Sequence, residues 1–357
     1  MERIDEKRAR LVQTLFPAGI PRLWCPLLTH YKKDGSIDFD RISAHFRHIL
    51  PFVKGFLIPG STGDGWELND GETRQVTEFA LWLAREEGVS LLLGALKRDA
   101  ESMKRTIEDM ITLLGPAAAV GTGDRIQTLG NHHVCGFTVC PPEGKTRSQA
   151  DIQSGLSEIL DMGLPTALYQ LPQVTGNEVS PETFGRLAGM YPNLILFKDS
   201  SGRDGIAASD TDKGGVFLVR GAEGDYARWL LEAGGPYAGF LLSTANCFPR
   251  ELKTLIEDLE RGEREKARIL SERLSAAIRD VFALVNGLPC GNAFTNANKS
   301  IDHFRAFGPA ADANDGPLLH GRQTIPADIL AATGAILTRL GLMPERGYME
   351  SAGAATA

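Results

Sequence analysis

Short apolar runs alternate with amphipathic stretches along most of this chain. The runs fall at 22–28, 55–59, 90–93, 136–140, 166–169, 194–198, 216–219 and 238–242. Each is bounded by Gly, Pro or polar turn formers, the pattern of a short strand buried on both faces. Between them lie helical faces, such as Ile42, Phe46 and Ile49, or Met103, Ile107, Met110 and Leu114. Asn69 with Glu72 makes a capping-box start. Ser180-Pro181 places serine at an N-cap and proline at the first helical position. The segment 115–133, rich in Gly and Ala without a period, reads as an insertion or long loop.

Eight buried strands, each followed by a helix or something placed like one, imply a parallel sheet with right-handed crossovers. Eight such units close as an α/β (β/α)8 TIM barrel. A doubly wound sheet is the rival, but it calls for a Gly-rich turn after the first strand, and Leu28-Thr29-His30-Tyr31 is not one. The expected organisation is an N-terminal extension over 1–20, a barrel over 21–262, additional C-terminal helices over 263–345 and a flexible tail over 346–357. The C-terminal helices are expected over Ala267–Ile278 and near 327–340.

The 357 residues are 43% hydrophobic and 23% charged, an ordinary globular balance with a net charge of -7. Lys and Arg are scattered without a basic stripe, which argues against nucleic acid and an anionic membrane as partners. No apolar run approaches the roughly 20 residues of a membrane span. The charged, mixed-sign start Met1–Arg8 is unlike a signal peptide. Five cysteines without a CxxC fit reduced, buried thiols in a cytoplasm.

Chemistry is expected at the C-terminal strand ends. There, Leu194-Ile195-Leu196-Phe197 delivers Lys198. A strand-end lysine can snorkel to water, but burial would instead favour its neutral, nucleophilic amine. The second strand ends in Gly60-Ser61-Thr62-Gly63-Asp64-Gly65, a hydroxyl-bearing turn whose N–H groups suit a carboxylate. The fifth brings Tyr169, a candidate proton relay, and the seventh Arg220-Gly221-Ala222-Glu223. A carbonyl-capturing amine, a proton shuttle and a carboxylate cradle together suit a 2-oxo acid.

Four segments then resemble one family in order and at its spacing, across about 21–277. Gly60–Asp64 resembles the GTTGE or GSTGE turn of the dihydrodipicolinate synthase/N-acetylneuraminate lyase family. Tyr169-Gln170-Leu171-Pro172 with Thr175-Gly176 is similar to its YNxPxxTG stretch, and Phe197–Gly202 to its K(D/E)-S/A-S/T-G strand end. Gly239–Asn246 is similar to its GVISVTAN segment. The resemblance implies a lyase or aldolase in which Lys198 forms a Schiff base with a pyruvate-type 2-oxo acid. It implies catalytic roles for Tyr169 and Thr62, and substrate contacts from Ser61, Thr62, Gly60, Gly221, Glu223 and Leu241. It further implies no metal or organic cofactor, and a homodimer or homotetramer.

Three departures bear on the substrate. Val174 stands where the synthases carry the arginine of YNxPxRTG, and Glu143 where they lend a tyrosine to the neighbouring subunit. Asp64 replaces the motif's glutamate. A metal-dependent barrel is disfavoured because His30, His45, His48, His132, His133, His303 and His320 form no ligand pattern across strand ends. A phosphate-sugar aldolase is disfavoured because Glu223 would repel phosphate at the seventh strand. A dehydratase of 2-keto-3-deoxy sugar acids, a dihydrodipicolinate synthase and a non-enzymatic 2-oxo acid sensor remain as alternatives.

Overall fold

A computed structural model describes residues 2–115 and 122–350. Its strands are β1 (Leu23–Cys25), β2 (Gly55–Ile58), β3 (Ser90–Gly94), β4 (Val134–Val139), β5 (Thr166–Gln170), β6 (Leu194–Asp199), β7 (Phe217–Arg220) and β8 (Gly239–Leu241). They pair in parallel in sequence order and close through Leu23↔Phe240 and Trp24↔Leu241 between β1 and β8. The fold is therefore the (β/α)8 barrel with extra C-terminal helices expected from the apolar pattern. Burial on both faces explains why every strand reads as a continuous apolar run.

The barrel interior is filled by Trp24, Leu57, Leu92, Ala167, Val219 and Leu241. Trp24 needs the space above Gly55, where a Cβ would sit 2.3 Å from the indole. Asn69 and Glu72 form the expected reciprocal cap at 3.0 and 2.9 Å. Asp38, Asp99, Ser148 and Ser180 cap other barrel helices.

The N-terminal segment is built into the barrel. Its helix Ile4–Leu15 places Leu15 and Phe16 in the interior cluster, with Phe16 edge-on to Trp24 at 6.1 Å. Arg8 is 1% exposed and donates to the carbonyls of Leu194 (2.7 Å), Ala188 (2.5 Å), Tyr191 (2.9 Å) and Gly214. Arg8→Ala would leave these carbonyls without their charged donor, and should lower unfolding stability in urea by about 3 kcal/mol.

The segment 115–133 is not simply a loop. Thr122–Asn131 is a helix against β4, with Leu129 buried, while 116–121 lie outside the described residues. Its Gly and Thr content hid the period.

Beyond the barrel come the helices Arg264–Val285, Ala293–Phe307 and Ala327–Arg339. The sequence pattern missed Ala293–Phe307 because its buried face is polar: Thr295, Asn296, Asn298, Lys299, Ser300, Asp302 and His303 are all buried. The stretch assigned to a flexible tail also needs correction over its described part. Tyr348 donates to Asp302 at 2.9 Å and stacks on His48 with ring centroids 4.6 Å apart. Among the described residues, no helix is long and apolar enough to cross a membrane.

Candidate active site

β5 and β6 put Tyr169 and Lys198 side by side in register. Lys198 is 3% exposed, with Nζ 3.8 Å from the centre of the Tyr169 ring. Burial pulls the lysine down to about 7, opposed by Cys140, Glu223 and Cys25. The same burial raises the Tyr169 phenol, so it stays protonated at neutral pH. The lysine runs past Gly221, where a Cβ would meet Lys198 Cε at 2.7 Å and Ser200 Oγ at 2.2 Å. Ser200 Oγ is buried beside the lysine and within reach of the Tyr169 phenol.

The turn after β2 carries Ser61, Thr62 and Asp64, all buried. Ser61 Oγ donates to the Tyr169 hydroxyl at 3.4 Å and accepts from Trp66 Nε1 at 2.8 Å. A Trp66–Ser61–Tyr169 hydrogen-bond chain therefore ends at the phenol whose ring lies against the lysine. Thr62, named for a catalytic role, is not the hydroxyl at the phenol; Ser61 is. Gly60 permits the turn to close on β1, since a Cβ there would meet Pro26 at 2.7 Å.

Glu223 lies within electrostatic reach of Lys198. It accepts from Ser243 Oγ (2.6 Å), Thr244 N (3.1 Å), Tyr226 OH (2.8 Å) and Thr244 Oγ1. These donors fix the carboxylate in one orientation. Arg220 is committed elsewhere, with Nε and Nη2 on Asp204 at 3.0 and 3.2 Å and Nη1 on the carbonyls of Ala222 and Gly224. Leu241 is the site expectation that the geometry displaces: it packs in the barrel interior with Trp24 and Val219.

Val174 packs with Trp66 and Phe294 against the cluster of Tyr169, Leu171, Cys140 and Leu96. Phe294 meets Phe282 edge-on at 5.6 Å. A cavity of about 260 Å³ opens over the strand ends, walled by Ser200, Glu223, Gln173, Phe282, Phe294 and Arg279. The mouth thus joins the Glu223 carboxylate to an aromatic wall, with the Arg279 guanidinium at its rim paired to Asp280 at 3.0 Å. Arg203, in the turn after β6, pairs with Glu178 at 3.2 Å while 77% exposed. Trp66 and Ser200 escaped the sequence reading, although Ser200 stands within a motif segment already singled out and Trp66 directly follows one. Phe282 and Phe294 lie outside any motif and carried no signal.

The histidines do gather once. His30, His45 and Asp302 bring ligand-type atoms within 4.8 Å of one another. These atoms are already engaged: His30 with His45 at 3.1 Å, His45 with Asn246 O at 2.8 Å, and Asp302 with Arg41 at 2.6 Å. Burial holds both imidazoles below their usual range, so they are neutral bridging groups at pH 7.

Comparison with known proteins agrees with this fold. The model of the dihydrodipicolinate synthetase family matches residues 101–297. The 4-hydroxy-tetrahydrodipicolinate synthase of Methanospirillum hungatei is 24% identical over 282 residues, covering 78% of this chain and 88% of that protein. The enzyme of the same name from Xanthomonas axonopodis pv. citri is 28% identical over 258 residues, covering 70% and 76%. Among solved structures, YagE, an E. coli prophage protein of the dihydrodipicolinic acid synthase family solved with pyruvate, superposes with a TM-score of 0.69 at 20% identity, covering 90% of this chain and 99% of that one. A dihydrodipicolinate synthase from Thermotoga maritima gives 0.69 at 19% identity, covering 91% and 99%. With the barrel, the strand-end lysine and the family model in agreement, this chain belongs to the dihydrodipicolinate synthetase family, a family of lyase-type enzymes.

Proposed function

We propose that the enzyme is a Schiff-base lyase or aldolase acting on a pyruvate-type 2-oxo acid, with Lys198 as the imine-forming residue. The observation that carries this is the fully buried Lys198, brought down to about 7 and set against Tyr169. In the proposed cycle the neutral amine attacks the keto carbon. The amine gives up one proton and Tyr169 a second to the carbonyl oxygen, which departs as water and leaves the iminium beside a tyrosinate. The tyrosinate takes the proton of the substrate's 4-hydroxyl, the iminium accepts the electron pair of the carbon–carbon bond that breaks, an aldehyde leaves, and Tyr169 returns the proton to the resulting enamine. Hydrolysis then restores the lysine. The covalent imine is the electron sink, so the cycle calls on no metal or organic cofactor. The turn carrying Ser61 and Thr62 holds the carboxylate of the 2-oxo acid.

The second substrate is a neutral or aromatic aldehyde rather than one bearing a carboxylate. Val174 takes the place of an arginine fork, and it joins Trp66 and Phe294 in an apolar wall. Glu223 adds a fixed negative charge to the mouth. The names of the curated relatives favour synthase activity instead, and one assay separates the two readings.

Pyruvate with borohydride should add a reduced three-carbon unit to the peptide containing Lys198. Failure of every 2-oxo acid tested, or an adduct on another lysine, would sink the proposal. Supplied with pyruvate, the enzyme should condense an aromatic aldehyde at least about 10³-fold more efficiently than aspartate semialdehyde. A kcat/KM for aspartate semialdehyde at or above about 10⁴ M⁻¹s⁻¹ would instead identify a synthase.

A further inference from the structure

Buried polar groups require partners, so the polar face of Ala293–Phe307 must be satisfied by whatever it covers. At its C-terminal end Asp302 meets Arg41, Tyr348 and the histidine pair, which binds the helix to the start of the barrel. The N-terminal end lies on the turn after β2. Asn292 Nδ2 donates to Ser61 O at 3.1 Å, and Thr295 Oγ1 donates to Thr62 O at 3.0 Å. One turn further along, Lys299 Nζ stands 3.4 Å from Asp64 Oδ2 and donates to Leu318 O at 2.9 Å. Tyr31 donates to the same Asp64 oxygen at 2.9 Å. The Lys299 and Asp64 side chains are both 0% exposed.

Asp64 is also conformationally constrained. Its φ is 61°, in the left-handed region that side chains other than glycine seldom occupy. Such a conformation persists where surrounding contacts over-determine it. Lys299 and Tyr31 supply those contacts, while Asn292 and Thr295 draw two carbonyls of the turn towards the helix. Asp64 is one methylene shorter than the glutamate of the family motif, so a cation must approach closely, and the helix provides one.

We infer that Lys299 is a positioning residue for the active site: its buried pair with Asp64 sets the turn carrying Ser61 and Thr62 in the shape that binds the substrate carboxylate. The inference rests on the Schiff-base reading above. Lys299 touches no reacting atom. Its loss should therefore weaken capture of the 2-oxo acid without slowing imine chemistry once the site is full.

The test is borohydride trapping with pyruvate across a concentration series. Lys299→Met should raise the half-saturating pyruvate concentration by about 10- to 100-fold, with the saturated trapping rate within about threefold of wild type. Adding Asp64→Asn removes the carboxylate left unpaired, and should recover most of that rise. Half-saturation unchanged in Lys299→Met, or a loss confined to the saturated rate, would overturn the inference. If Lys299→Met does not fold, Thr295→Val removes only the hydroxyl on Thr62 O and should raise half-saturation by about three- to tenfold; no rise would overturn it. A wild-type protein that forms no adduct removes the Schiff-base reading and this inference together. A wild-type adduct with unchanged variants removes only this one.

Discussion

Lys198→Ala should abolish pyruvate adduct formation and lower kcat by at least about five powers of ten, since among the described residues no other lysine lines the cavity over the strand ends. The wild-type pH profile should carry the signature of the same side chain. Burial brings the ammonium down to about 7, so the neutral amine predominates above that pH. The trapping rate should rise about tenfold per pH unit below 7 and level off above about 8. A profile flat from pH 5 to 9, or activity surviving the substitution, would exclude Lys198 as the nucleophile. The same shift predicts a stability gain. An unfolded lysine holds its proton up to about 10.4, and the folded one releases it near 7. The folded state is therefore disfavoured progressively as pH falls from about 10.4 to 7, and by a constant amount below. Lys198→Met removes that cost and should raise unfolding stability at pH 7 by on the order of a few kcal/mol, a gain that shrinks as the pH approaches 10. Lower activity with higher stability in one variant would mark Lys198 as a residue kept for chemistry.

Hydrophobic pattern exposes what is buried among apolar neighbours, and the eight strands were legible for that reason. Lys198 was legible as the exception, one charge closing an apolar strand. The helix Ala293–Phe307 is the reverse case. It is among the most buried helices, yet its sequence reads as polar because its partners are polar and distant in the chain: Arg41, Ser61, Asp64 and Tyr348. No local period records such pairing. The helix Thr122–Asn131 escaped for a different reason, since Gly and Thr give little apolar face to count. Leu241 went astray through its segment. The Gly239–Asn246 stretch matches a family motif, but alternation along β8 sends Phe240 to the outer helices and Leu241 into the packed interior. Ser61 and Thr62 could not be told apart by type, and only the direction of Ser61 Oγ assigns it to the phenol.

That direction shapes the second large effect, expected for Tyr169→Phe. The substitution keeps the ring under the lysine and removes only the hydroxyl, so packing changes little. The phenol has the attributes of a relay: burial keeps it protonated at neutral pH, it lies beside the attacking amine, and Ser61 Oγ can return a proton to it. Loss of one positioned proton carrier costs about two to four powers of ten, and kcat should fall by that amount with KM within a few-fold of wild type. Ser61→Ala should cost less, roughly tenfold, because it removes one hydrogen-bond partner of the phenol and leaves the phenol itself in place. The distinguishing measurement is the split between kcat and KM. Wild-type kcat with a raised KM in Tyr169→Phe would make the tyrosine a wall of the pocket, leaving proton transfer to the buried hydroxyl of Ser200 or to Glu223, whose carboxylate is already held at the mouth by Ser243, Thr244 and Tyr226.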